Sequence, residues 1–318
     1  MAEKTAVQKN TKPVNRTNRS KFSWTLREMR VNKGAYLMVA PFFLIFLLFT
    51  VLPVILSVFF SFTTFNLLEL PKLIGVDNYI RLLLDDDIFL LAIQNTLIFA
   101  AITGPGSYLL SLMFAWFINE LTPKIRAVVT LIFYAPSISG NVYLIWTYLF
   151  TADQHGLING WLMEMGMITT PIEFFKNPTY IMPIVIVVAL WTSLGTSFLS
   201  FIAGFQVVDR SLYEAGAVDG VKNRWQELWY ITLPYMRPQM MFSAILAITG
   251  AFGFGGIITG LVGFPSPDYC AHTIMPHLED YGNTRFEMGY ASAIAVVLFF
   301  MMVGSNMLIR KILNKVGK

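Results

Sequence analysis

The residues able to do chemistry in this chain are few and oddly placed. Its three histidines are His155, His272 and His277, and its one cysteine is Cys270. All four lie between apolar runs, with no spacing that marks a zinc site and no nucleophile–base set in supporting context. They read as solvated loop residues, and a single cysteine excludes an internal disulfide. No G-x-x-x-x-G-K-[ST] loop is present to cradle phosphates. The chain reads as no enzyme, and any uphill work it does must draw its energy from another chain.

Charge gathers instead in one compact stretch, "YEAGAVDGVKNRWQELWYITLP", from Tyr213 to Pro234. Ser211 and Glu214 have the Ser-x-x-Glu spacing of a capping box, in which each side chain satisfies the other's free backbone N–H. That spacing predicts a short helix from Leu212 to Gly220, with the glycine where the chain turns left-handed. Asn223 and Gln226 cap a second helix. On it Trp225, Leu228 and Trp229 share a face at helical spacing, and Pro234 breaks it. Ala215, Gly216 and Ala217 are expected on the exposed side of the first limb, where small residues admit another surface. The segment reads as a docking knob.

The elements that carry this knob are apolar. Of 318 residues 55% are hydrophobic and 13% charged, with a mean hydropathy of +0.59; a soluble domain carries about 25% charged residues. Six windows contain no Asp, Glu, Lys or Arg: Ala35–Phe62, Ile88–Asn119, Ala127–Ala152, Asn177–Val208, Pro238–Pro267 and Met288–Ile309. Each exceeds the roughly 20 residues that span a bilayer core. The expected fold is an all-α integral membrane protein with six transmembrane helices. Nineteen of the 23 Lys and Arg residues flank alternate windows on one side and four on the other. The positive-inside rule then places both termini and the charged stretch in the cytosol. The basic residues from Lys4 to Lys33 read as anchorage to anionic lipid rather than as a nucleic-acid surface. The loop before the second window is amphipathic, with Ile80, Leu83 and Leu84 on one side of a surface helix. No linker divides the chain. The expected organisation is a basic tail at 1–34, a membrane domain at 35–311 carrying the 209–236 loop, and a second basic tail at 312–318. No span holds an ionisable group, which argues against coupling to an ion gradient.

The charged stretch resembles the EAA loop of ABC-importer permeases, through Glu214, Ala215, Gly220, Ile231, Leu233 and Pro234. Gly216 replaces the second alanine, and ten residues rather than nine separate Gly220 from Ile231. "GVDNYIRLL", "GLINGWL" and "GYASAIAVVLFF" extend the likeness, in order, to carbohydrate-uptake permeases related to the larger maltose-permease subunit and to glycerol-phosphate permeases. The resemblance implies a type I ABC-importer permease architecture in a bacterial plasma (inner) membrane. It implies as partners a second homologous permease, two ATPase subunits and an extracellular sugar-binding protein, with ATP and Mg held by the ATPase and no cofactor or metal in this chain. Carried over, Glu214, Ala215, Gly216, Asp219 and Gly220 couple to the ATPase. The substrate path falls near Thr192, Ser193 and Thr196, with Ala189 where the family has an amide, near Tyr134, Ser137 and Asn141, and near Gly253 and Gly255. Ser, Thr and Gly equally serve tight helix packing in membranes. The cargo implied is a neutral sugar or oligosaccharide. A glycerol-phosphate ester is the nearest rival, but no cation lies in the spans to meet an anion, which favours the neutral sugar. An autonomous channel or carrier and a scaffold without transport are the others.

Overall fold

The structure is a computed structural model that describes Met29 and residues 31–313. The tail segments at 1–28 and 314–318 lie outside the described residues. Backbone packing separates two units, Met1–Leu56 and Ser57–Lys318. Within the described residues the chain is almost wholly helical. The one sheet among the described residues is a two-stranded ribbon of β1 (Thr63–Thr64) and β2 (Lys72–Leu73), with Thr63 opposite Leu73 and Thr64 opposite Lys72. The all-α expectation omitted this ribbon.

The first apolar window becomes α1 (Lys33–Phe46) and α2 (Leu52–Phe60), joined by a wide π-helical turn at Leu47–Val51. Pro53 supplies no N–H and crowds the carbonyl four residues back. The backbone widens just before it instead of breaking. After the ribbon, α3 (Asp77–Ile80) and a π turn (Arg81–Asp85) lead to α4 (Asp87–Asn119), the second span. Leu82 is fully buried here, whereas Ile80, Leu83 and Leu84 are exposed. The predicted apolar face therefore exists but points away from the chain's own core. Asn78 fixes that orientation, its amide donating to the carbonyls of Ser61 and Thr63 at 2.9 and 3.0 Å.

Among the described residues, three helices meet the length and hydropathy of a span: Lys33–Phe60, Asp87–Asn119 and Met288–Ile312. The other three windows are each two helices that meet at a bend. The third becomes α5 (Pro123–Ile138) and α6 (Tyr143–Leu149), turned by 88°. This corrects the expectation of a continuous run through Ala127–Ala152. Ser139 takes an extended conformation, and the Gly140–Asn141 pair that follows favours a turn over a helix. After α7 (Leu157–Glu164), the fourth window is α8 (Pro178–Thr192) and α9 (Thr196–Val207), bent by 41°. The fifth is α13 (Arg237–Phe252) and α14 (Gly256–Val262), bent by 43°. Between them run α10 (Arg210–Val218), α11 (Arg224–Glu227) and α12 (Leu233–Tyr235). The chain closes with α15 (Ile274–Glu279) and α16 (Met288–Leu313).

The long α4 is the axis of the second unit and packs against α9 and α13. Its buried residues include a small, hydroxylic stripe: Ala92, Thr96, Ala100, Thr103, Ser107, Ser111 and Ala115. Small side chains let helix backbones approach where no hydrophobic effect drives helices together. Larger apolar residues fill the layers around it. Phe198, Phe201 and Met236 sit near one end, Val185, Val188 and Ile258 at mid-length, and Phe89, Ile274 and Ile294 toward the other.

Candidate functional site

The charged segment folds as two short helices over a π turn. Asp209, not Ser211, caps α10: its carboxylate accepts from the Ser211 N–H at 2.9 Å, and hydrogen bonds from Ser211 hold that carboxyl below its usual range. The expected capping box is thus displaced. An acid already stood two residues earlier, so Glu214 is released from capping and faces Arg210 at 3.6 Å, both side chains exposed. The end of α10 agrees with the sequence. Gly220 has φ +96°, its N–H donates to Ala217 O, and the Val221 N–H donates to Gly216 O at 2.9 Å. This is the paired closure that needs a left-handed residue. Asn223 caps α11 as expected, accepting from the Gln226 N–H at 2.9 Å, while the Gln226 amide oxygen accepts from Lys222 N–H at 2.7 Å.

Ala215, Ala217, Asp219 and Gly220 are exposed, but Gly216 is buried. A Cβ there would lie 2.5 Å from Ile231 Cδ1. Gly216 therefore lets α10 rest on the π turn Leu228–Thr232 rather than admitting a foreign surface. Tyr213 and Thr232 join the same two elements through their hydroxyls at 2.9 Å. The expected Trp225–Leu228–Trp229 face is split: Leu228 is buried while both tryptophans are largely exposed. Trp225 lies against Trp116 of α4, ring centroids 4.8 Å apart. Arg224 completes the tie to α4, reaching Glu120 at 3.1 Å and Glu227 at 2.8 Å. Pro234 does not break the chain. It starts α12 after another π turn, the same accommodation made at Pro53.

A cavity of about 350 Å³ opens among α4, α5, α8, α9, α13 and α14. All three helix breaks reach it: Ser139 and Val142 from the first, Ser193 and Thr196 from the second, Phe254 from the third. Of the residues expected on a substrate path, Ser137, Thr192, Ser193 and Thr196 line it, and Tyr134, Asn141, Gly253 and Gly255 do not. Ala189 lines it as well. Gly255 does not widen the space. A Cβ there would fall 2.7 Å from Met275 Cγ, so the glycine admits α15. Sequence reasoning missed Thr103 and Ser107 on α4. Their signal was legible: Thr96, Thr103, Ser107 and Ser111 recur at 7, 4 and 4 residues, one helical face. No Asp, Glu, Lys, Arg or His lines the cavity. Thr103, Ser107, Ser137, Thr192 and Ser193 each donate their hydroxyl proton to a carbonyl of their own helix. Their free lone pairs leave a wall that accepts hydrogen bonds.

No family model matches the chain. It is 33% identical over 277 residues to the probable ABC transporter permease protein YesP of Bacillus subtilis, covering 85% of this chain and 87% of that one. The chain belongs to the ABC-transporter permeases. The arabinooligosaccharides transport system permease protein AraP of Bacillus subtilis is 29% identical, over 87% of this permease and 88% of its own length. The lactose transport system permease protein LacF of Rhizobium radiobacter is 28% identical, over 85% and 90%. The fold matches that of a bacterial ABC transporter involved in the import of the acidic polysaccharide alginate, with a TM-score of 0.73 at 22% identity, over 93% of this permease and 100% of that chain. Apolar helices and family membership together make this a multi-pass membrane protein.

The permease has a second polar cluster, about 50 Å from the charged segment along α4 at 1.5 Å per residue. Here the expectation of solvated histidines fails: His272 and His277 are 2% and 3% exposed. His277 Nε2 lies 3.1 Å from Asp86 Oδ2, and His272 Nε2 lies 3.0 Å from His277 Nδ1. Tyr290 donates to Asp86 Oδ2 at 2.7 Å, and Asp86 also caps α4 by accepting from the Phe89 N–H at 2.9 Å. Burial alone would raise the Asp86 carboxyl, but those hydrogen bonds from Tyr290, Phe89 and His277 outweigh it and hold it below its usual range. Arg81 pairs with Glu287 at 2.6 Å and lies over the Tyr290 ring at 4.2 Å. His155 keeps the solvated place expected of it.

Proposed function

We propose that this permease is one of two membrane subunits of an ATP-driven importer for a neutral sugar or oligosaccharide. The observation that carries the reading is the cavity itself, where three helix breaks meet, no charged side chain intrudes and serine and threonine hydroxyls line the wall. Broken membrane helices are where transporters bind cargo, because unwound backbone is tolerated only around a polar space. A sugar donates hydrogen bonds readily to such a wall. A carboxylate or phosphate would meet acceptors and no cation, at a high desolvation cost. The names of AraP and LacF agree with a sugar, while the alginate importer carries an acidic one.

In this reading each bent pair is one span, giving six, with both termini and residues 209–236 in the cytosol of a bacterial cell. A second permease completes the conduit, an extracellular sugar-binding protein delivers the cargo, and two ATPase subunits hold ATP and Mg. The exposed side of α10, with Glu214, Ala215 and Asp219, seats in the ATPase, and Gly220 sets the bend that presents it. Arg224 and Trp225 pass the motion to α4. The importer reconstituted in liposomes with its ATPase and binding protein tests this. Gly220→Pro is expected to abolish uptake and its sugar-stimulated ATPase activity while leaving membrane insertion intact. Full sugar-stimulated ATPase activity in that complex would rule the reading out.

A further inference from the structure

We infer that Asp86, His277 and His272 form an acid-sensitive latch on α15, the short helix that bears on the break between α13 and α14, and that protonation of both imidazoles releases it.

The proton count makes the latch conditional. With Asp86 ionised and both rings neutral, one arrangement satisfies every contact: His277 Nε2–H donates to Asp86 at 3.1 Å, and His272 Nε2–H donates to His277 Nδ1 at 3.0 Å. A first added proton can be absorbed, with His277 as the cation beside Asp86 and His272 in its other tautomer. A second cannot, because two N–H groups then face each other with no acceptor between two buried cations. The surroundings offer little balance. Asp86, the cap of α4, faces His277 and also accepts from the Tyr290 hydroxyl of α16; Tyr281 lies against His277 and Tyr269 against His272, with Asp280 in the turn after α15. Asp280 is already paired with Arg285, and Arg81 with Glu287. One free carboxylate compensates one imidazolium, not two.

Burial pushes His272 down to about 4, assisted by His277, and burial also lowers His277 against the pull of Asp86. A depressed histidine contributes closing free energy that is whole above its ordinary value near 6.5 and is lost as pH falls toward about 4. The release has a mechanical consequence. Met275 lies two residues before His277 and against Gly255, where an added Cβ would meet its Cγ at 2.7 Å. Ile274 N–H donates to Thr96 at 2.9 Å, so α15 is held between α4 and the break whose Phe254 lines the cavity. Freeing α15 unloads that break, a consequence for transport that rests on reading the cavity as the cargo route.

The permease carries its own reporter. Cys270, its single cysteine, is half-buried two residues before His272. The full chain in lipid nanodiscs is treated with 4,4′-dithiodipyridine, which reacts with thiols in acid, and rates are normalised to free cysteine at each pH. Between neutral pH and about pH 4.5 the normalised rate is expected to rise about tenfold. In His272→Gln/His277→Gln, whose amides do not titrate, it should stay flat. A wild-type rise no greater than that of the double variant overturns the latch. Should the variant fail to insert, hydrogen exchange of the wild type decides: protection at 272–284 must fall over the same interval relative to 209–222, and unchanged protection overturns the proposal. Neither measurement needs uptake. Robust ATP-driven uptake with pH-flat labelling sinks the latch alone, and a working latch without uptake sinks the transport reading alone.

Discussion

The two charged connectors of this permease make a comparison. Residues 209–236 and residues 263–287 both join apolar spans and fold around a short helix with glycines and ionisable groups. In the first, Arg210, Glu214 and Asp219 stand in water, and its ion pairs are largely exposed. In the second, His272, His277 and Asp280 are buried and hydrogen-bonded within the chain, His277 to Asp86 191 residues away, His272 to His277 and Asp280 to Arg285. One keeps its charges available to another molecule, and the other spends them on its own chain. Similar composition therefore leaves charge exposed at one end and serves internal order at the other. What separates them is whether the rest of the fold supplies acceptors and donors.

The comparison predicts opposite responses to substitution. The largest effect belongs to Asp86→Ala, which strips the α4 cap and leaves Tyr290 and His277 without an acceptor; about 3 kcal/mol of stability is expected to go. Glu214→Ala, by contrast, removes one exposed pair and should change stability by less than about 0.5 kcal/mol. Chemical or thermal unfolding of the purified permease, followed by its helical signal, compares the two. Equal losses would erase the distinction between the connectors.

A smaller contrast concerns glycines. Gly255→Ala places a Cβ 2.7 Å from Met275 Cγ and 2.8 Å from its Cβ, atoms too close to the backbone to move freely. About 2 kcal/mol is expected. Gly220→Ala meets no neighbour but must hold φ +96°, at about 1 kcal/mol. The same unfolding curves rank them, and a Gly220 variant less stable than the Gly255 variant would reverse the assignment of which end is tightly packed. Among the glycines the smallest effect is expected from Gly216→Ala. Its Cβ would meet only Ile231 Cδ1, the free end of a side chain that can turn aside, so stability should fall by less than about 1 kcal/mol. A larger loss would mean that α10 is seated on the π turn as rigidly as α15 is seated on Gly255.

Much of the candidate site was legible before any coordinates. Gly220 as a left-handed stop and Asn223 as a cap follow from local backbone chemistry, and both stand as read. The family resemblance pointed to Ser137, Thr192, Ser193 and Thr196, and all four line the cavity. Local rules failed where two local candidates competed. Asp209 stood two residues before Ser211 and took the cap, which freed Glu214. They failed also where burial decided the outcome. Gly216 looked like part of a small exposed patch until Ile231 covered it, and Gly255 looked like space until Met275 filled it.

The sequence by itself determined that this is a chain of apolar helices with one exposed, well-capped charged segment. Transfer free energies and caps are sums over neighbouring residues, and neighbours are what a sequence displays. Only the tertiary structure decided that three of the windows break, that their breaks share one cavity and that two histidines leave water for Asp86. Those outcomes depend on pairs such as Asp86 and His277, 191 residues apart, whose meeting is fixed by packing and not by spacing.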